Sequence, residues 1–407
     1  MLDLQSDWDR PYQLSSQSAD HLLRVRLTPT SSGQRTLPLH LAIALDTSQS
    51  MQGEKLEAAK RACVTVISQL RPEDKLSLAT YSHQVQNQLS QVSGNAPQAQ
   101  QIIEQLRTDG TTRMDLALNW FQTALPREPG IIRVGILITD GHATNNQGKL
   151  LEDLDPLLGQ SAAVADQGIT LCSVGLGNAA NFNTGFLVNL SERGQGAFLY
   201  ADRPEALVSQ LEERLTACQS IVTDEVTLSF QPMAGAEVQG FCQFRPDYLP
   251  LEETAPNQLT LTGIRANQPT DVLLSVKIPS LPFGESPDLK TVLKLSLNGA
   301  GFTAISQEAT IHYTNSFREA QTTNTEVNQD RLGWIMNQCS TELTRTQDLN
   351  RTGELLADLQ VAATKSGNLA IAQQAAQQLQ DLQAKGQLDA HQVTDILQAT
   401  RKSGSLG

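Results

Sequence analysis

The period of the apolar positions changes twice along this chain. Leu39–Asp46 (LHLAIALD) is largely apolar over a strand's length. From Glu54 to Leu70, Leu56, Ala59, Cys63, Val66, Ile67 and Leu70 recur at three- and four-residue steps, the spacing of one helix face. The alternation continues with strands expected at Lys75–Tyr81, Val85–Leu89, Ile131–Thr139 (IIRVGILIT), Ile169–Leu176 and Ala197–Tyr200. Helices are expected near Pro97–Leu106, Met114–Leu125, Pro156–Gln167, Asn183–Glu192 and Pro204–Cys218. Strands apolar on both faces, joined by helical crossovers, predict an α/β unit: a Rossmann-like, doubly wound, mostly parallel sheet. Such sheets bind ligands at the carboxyl ends of their strands, where strand order reverses.

Near Ser220 the helical period gives way to short alternating runs: Glu225–Phe230, Ala236–Phe241, Gln258–Leu261, Asp271–Ile278, Thr291–Leu297 and Thr303–Tyr313. Pro and Gly punctuate them, the pattern of an antiparallel sandwich. The alternating run His21–Leu27 (HLLRVRL) precedes the α/β series and is assigned to the same sandwich. The α/β unit is therefore expected as an insertion in the β-sandwich. From about Thr325 helical spacing returns at Glu354–Ala363, Ala370–Leu382 and Ala390–Ala399, with breaks expected at Gly353, Gly367, Gly386 and Gly404. The expected organisation is 1–37 for N-terminal strands of the sandwich, 38–219 for the α/β domain, 220–318 for the sandwich and 319–407 for a C-terminal helical segment. The Gln-rich helices are expected to pack on the rest of the chain, with a partner-binding coiled coil as the alternative.

Composition narrows the function classes. The 407 residues are 39% hydrophobic and 4% aromatic, so several aliphatic cores are affordable. A net charge of −13 repels phosphate backbones and argues against broad nucleic-acid binding. The five cysteines are scattered and odd in number, as in a reducing compartment, and Cys63, Cys172 and Cys218 read as buried free thiols. The opening residues carry Asp3, Asp7 and Asp9 and lack a basic-then-apolar leader, and no segment is apolar enough to span a membrane. A cytoplasmic location is the expectation.

The chemistry lies at strand ends. After the first α/β strand stands Asp46-Thr47-Ser48-Gln49-Ser50, a D-x-S-x-S element. After the most apolar strand stands Thr139-Asp140-Gly141, and between them Asp109-Gly110-Thr111-Thr112. Few carboxylates with several hydroxyls suit a hard cation that keeps waters. The competing reading is local: Asp46, Ser48 and Ser50 could cap the helix that starts near Glu54.

The three elements, in this order, resemble the metal-ion-dependent adhesion site of von Willebrand factor A domains, over about residues 38–218. The resemblance implies direct metal contacts from Ser48 and Ser50. It implies a direct or water-mediated contact from Thr111, and mostly water-mediated contacts from Asp46 and Asp140. Gln49 and Asp109 stand where the family commonly has Gly. The implied ion is Mg²⁺, with Mn²⁺ or Ca²⁺ as alternatives. The implied function is binding a protein partner through its Asp or Glu carboxylate, in an adaptor of the intracellular bacterial type rather than an enzyme. Two other readings stay open: a scaffold that binds through the sandwich and helices with a vestigial metal site, and a metal-dependent hydrolase.

Other motifs are weaker. Gly175-Leu176-Gly177-Asn178-Ala179-Ala180 matches the dinucleotide fingerprint but follows a late strand, so Gly175 and Gly177 are read as turn residues. His142 is read as a surface loop residue. The sequence has no nucleophile elbow and no phosphate loop.

Overall fold

The computed structural model describes residues 2–30, 36–93, 97–300 and 303–403. A six-stranded sheet has the order Val85–Ser93, Lys75–Tyr81, Leu39–Asp46, Ile132–Thr139, Thr170–Leu176, Gln195–Ala201. All neighbours run parallel except the Val85–Ser93 edge hairpin. The Leu39 and Ile132 strands are buried at every position, which explains their unbroken apolarity. Helices Glu54–Gln69, Pro97–Glu104 and Ala206–Gln219 cover one face, where Leu41, Ile43, Cys63 and Leu211 share a core. Helices Met114–Ala124, Asp155–Ala165 and Thr184–Arg193 cover the other, around Phe121, Leu137 and Phe186. The chain leaves the Leu39 strand for one side of the sheet and later returns to the other side at Ile132. The strand order therefore reverses between these two neighbours, and Asp46 and Asp140 stand at their carboxyl ends.

Two antiparallel sheets form a sandwich around one core that includes Leu23, Val25, Leu228, Leu261, Leu274 and Leu295. One sheet runs Leu2–Trp8, Ala19–Pro29, Thr270–Ile278, Glu237–Arg245, Leu249–Pro250. The other runs Glu253–Ala255, Gln258–Arg265, Ile221–Pro232, Leu289–Gly299, Ile305–Thr314, Tyr12–Leu14, the last joined in parallel. Arg26 lies opposite Asp271 in the ladder, so strands before and after the α/β unit pair directly. At the mouth of the insertion the amide of Leu37 donates to the carbonyl of Ile221 at 2.8 Å. Strands Leu2–Trp8 and Tyr12–Leu14 add to the single N-terminal run that the sequence suggested. Their polar residues conceal the alternation: in Leu2–Trp8 only Leu2, Leu4 and Trp8 are buried.

The helical segment comprises Phe317–Ala320, Thr325–Leu343, Leu349–Lys365, Leu369–Lys385 and Ala390–Ser403. Gly353 does not break it; it lies inside Leu349–Lys365, whose cap is Asp348. Gly367 and Gly386 do follow helix ends with positive φ, and Gly404 lies outside the described residues. The segment docks on both other parts. Val327 and Trp334 join Phe244 and Tyr248 of the sandwich, and Leu397 enters the α/β core. Gly185 lets the Thr344 carbonyl approach so closely that a Cβ would lie 2.3 Å from it. The Gln-rich surface also turns inward once: Gln378 is buried and accepts the amide of Asp389 at 3.1 Å. All five cysteines are free and buried. Among the described residues no helix is long and apolar enough to cross a membrane.

Candidate functional site

Four of the five candidate residues form one hydrogen-bonded cluster at the strand-order reversal. Asp46 ends its strand with a fully buried side chain. Its Oδ1 accepts the Ser48 amide at 2.8 Å, which folds the chain back at once, and its Oδ2 accepts the Thr139 hydroxyl at 2.8 Å. Ser48 and Ser50 hydroxyls lie 3.0 Å apart, and Ser50 donates to Asp140 Oδ1 at 2.6 Å. Asp140 is also buried. Burial pushes the Asp46 carboxyl up to about 7, against the lowering effect of the Ser48 and Thr139 hydrogen bonds and with a further push from Asp140.

Capping does not account for these residues. The helix that starts at Glu54 is capped by Gly53, at φ 88°, with no side-chain hydrogen bond. The short turn Gln49–Met51 follows Ser48, which likewise makes no side-chain cap.

Thr111, the fifth candidate, follows two residues whose backbone is bonded to the turn. The Asp109 amide donates to the Thr47 carbonyl at 2.7 Å, and the Gln49 amide to the Gly110 carbonyl at 3.3 Å, so the segment is fastened onto the D-x-S-x-S turn. Gly110 has φ +71°, and a Cβ there would lie 2.5 Å from His83 Nδ1; only glycine fits. Thr112 is clipped to Thr144 by paired bonds of 2.9 Å. Thr111 Oγ1 is buried and has no hydrogen-bond partner. A buried hydroxyl left unpaired costs about 1–3 kcal/mol, and the Thr111 hydroxyl is one of several buried side-chain polar atoms without a protein partner.

The oxygens of the cluster are two carboxylates and the Ser48 and Ser50 hydroxyls, with the Thr111 hydroxyl on the adjoining segment. That suits a hard divalent cation. Among the described residues no three or more His, Cys, Asp and Glu side chains are grouped so as to hold a metal ion. The two departures from the common pattern face outward. Gln49 is exposed and bonds Gln52, while the Asp109 carboxylate lies 3.7 Å from His83 on the rim. His142 is half-buried, and burial lowers its pKa.

The sequence names Thr139 within the Thr139-Asp140-Gly141 element but not its role, which is to anchor Asp46, and it does not single out Lys55, whose Nζ lies 2.5 Å from Asp140 Oδ2. A signal for Lys55 existed: a cation in the first turn of a helix opposes the helix dipole. The fingerprint-like glycines have packing roles. Gly175 is a strand residue, not a turn residue, because a Cβ would lie 2.5 Å from the Phe182 ring. Gly177 does turn the chain, at φ +85°. Cavities of about 630 and 590 Å³ lie beside the last helix and include none of these oxygens.

A sequence profile of the von Willebrand factor type A domain matches residues 40–214. This chain carries a von Willebrand factor type A domain. A von Willebrand factor type A protein from Catenulispora acidiphila superposes with a TM-score of 0.77 at 17% identity, covering 98% of this chain and 96% of that one. The likeness spans the sandwich and helical parts as well as the A domain. The ArnB paralog VWA2 from Sulfolobus acidocaldarius superposes at 0.57, also with 17% identity, over 100% and 99% of the two chains. At these identities the likeness establishes the fold alone. An uncharacterised protein of Synechocystis sp. is 29% identical over 62% of this chain and 60% of its own length. Inter-alpha-trypsin inhibitor heavy chain H2 from Sus scrofa is 25% identical over 52% of this chain and 25% of its own length. The chain thus spans about three fifths of the first relative and a quarter of the second. A domains are generally protein-interaction modules.

Proposed function

We propose that the A domain binds a protein partner through a divalent cation, Mg²⁺ by preference, held by Asp46, Ser48, Ser50, Thr111 and Asp140. The observation that carries this reading is the buried, unpartnered Thr111 hydroxyl on a segment pinned to the D-x-S-x-S turn. The Ser48 and Ser50 hydroxyls suit direct contact with a hard cation and Thr111 a direct or water-mediated one, and the two buried carboxylates balance its charge. A bound ion with mostly neutral ligands would offer a positive position to an Asp or Glu carboxylate of the partner. The sandwich and helices then act as a rigid mount that carries the A domain in an adaptor rather than an enzyme. The five free, buried cysteines suit a reducing compartment, and a cytoplasmic adaptor is the reading they favour.

Affinity capture from native lysate tests this reading. A partner retained with Mg²⁺, released by EDTA and not retained by Asp46→Ala supports it. A partner retained equally in all three conditions would mean that the sandwich or helices do the binding.

A further inference from the structure

Lys55 is the second residue of the Glu54–Gln69 helix. The first turn of a helix favours carboxylates over cations. Glu54 and Glu57 obey that preference, and Lys55 does not. Its side chain, 26% exposed, runs instead to the sheet edge, where Nζ stands 2.5 Å from Asp140 Oδ2 and 3.4 Å from the Ser50 carbonyl. The other Asp140 oxygen takes the Ser50 hydroxyl. Gly177 borders the Lys55 stem: a Cβ there would lie 3.4 Å from Lys55 Cε. The ammonium therefore holds the one carboxylate that closes the cluster from the second strand.

A divalent cation brought to the carboxylate that Lys55 holds repels the ammonium, because like charges a few ångströms apart repel where the surroundings are partly buried. We propose that Lys55 is an internal competitor for the cation, setting the concentration at which the site loads. The inference rests on the metal-binding reading above. Because the ammonium is tethered, it competes at an effective concentration of about a millimolar or more, whatever the solution contains. Its exposure leaves it a route to solvent, and a compact ammonium on a flexible four-carbon stem can take that route without disturbing the helix. The site then loads at a higher metal concentration than it would without Lys55.

The test is a Mn²⁺ titration of the full chain, reading the free ion by electron paramagnetic resonance, on wild type, Lys55→Met and Lys55→Arg. Lys55→Met is expected to bind Mn²⁺ about tenfold more tightly, the effect of roughly 1.4 kcal/mol, and Lys55→Arg within a few-fold of wild type. Equal affinity in wild type and Lys55→Met, or weaker binding by Lys55→Met, overturns the competitor role while leaving the metal site standing. If neither protein binds, the metal reading itself has failed, and the competitor role falls with it. A second readout needs no variant. The rate of reductive methylation at Lys55, followed by mass spectrometry in wild type, is expected to rise several-fold at saturating Mg²⁺. An unchanged or slower rate overturns the displacement.

Discussion

Ser50 donates its hydroxyl to Asp140 at 2.6 Å across 90 residues of sequence. One residue belongs to a turn after the Leu39 strand, and the other directly follows the neighbouring Ile132 strand. Parallel pairing places both strand ends at the same edge, and the order reversal leaves room for the turn between them. The cluster is thus a product of topology, and substitutions in it separate ligand chemistry from fold.

Thr111→Val separates them most sharply. The valine keeps the shape and removes a buried hydroxyl that has no partner. In EDTA the variant is expected to be as stable as wild type, or up to about 1 kcal/mol more stable. Its stabilisation by Mg²⁺ is expected to shrink. Urea unfolding with and without the ion checks both halves. A large loss of stability in EDTA would mean that the hydroxyl serves the protein itself.

Asp271 tests how the insertion is framed. Its buried carboxylate takes both donors of Arg26 at 2.7 Å and Arg245 at 2.8 Å; Arg245 continues to Asp330 of the first long C-terminal helix at 2.8 Å. Burial alone would raise the Asp271 pKa, but the hydrogen bonds and charges of Arg26 and Arg245 hold it below the ordinary value. Asp271→Asn leaves two guanidiniums without their shared partner, and a loss of about 3–5 kcal/mol is expected in denaturant unfolding. A loss below about 1 kcal/mol would show that the ion pairs are incidental.

His40 gives a pH dependence with a definite sign. It is buried in the Leu39 strand, where its Nε2 pairs with the Ser77 hydroxyl at 3.0 Å. Burial first, and then Lys75 and Arg133, lower its pKa from 6.5 to about 4. The unfolded chain therefore takes up a proton that the folded chain refuses. The contribution is intact above about pH 6.5 and is lost as pH falls towards about 4, on the order of 3 kcal/mol in total. His40→Gln is expected to flatten the stability profile over that window. An unchanged slope between pH 6.5 and 4 would show that His40 is protonated in the fold.

The strongest patterns were those with one physical cause. Leu39–Asp46 and Ile132–Thr139 are buried on both faces, so apolarity alone marked them to within a residue. His21–Leu27 was legible because Leu23, Val25 and Leu27 alternate onto the sandwich core, while Leu22 joins a second core on the other face. The Leu2–Trp8 strand was not, because its middle residues are polar and only partly covered. That Asp46, Ser48, Ser50 and Asp140 come together was legible from spacing at strand ends. The contacts of Lys55 with Asp140 and of Thr139 with Asp46 were not, because they join residues far apart in sequence that the fold brings together. Gly353 misled because a glycine near a helix start, capped by Asp348, is tolerated in the first turns.

The most direct measurement is thermal unfolding of wild type and Asp46→Ala, each with Mg²⁺ and with EDTA. With the ion at about 100 times its dissociation constant, wild type is expected to gain about 2.7 kcal/mol, a shift of several degrees, and Asp46→Ala nothing. An equal gain in both proteins, or none in wild type, would contradict a cation site built on Asp46.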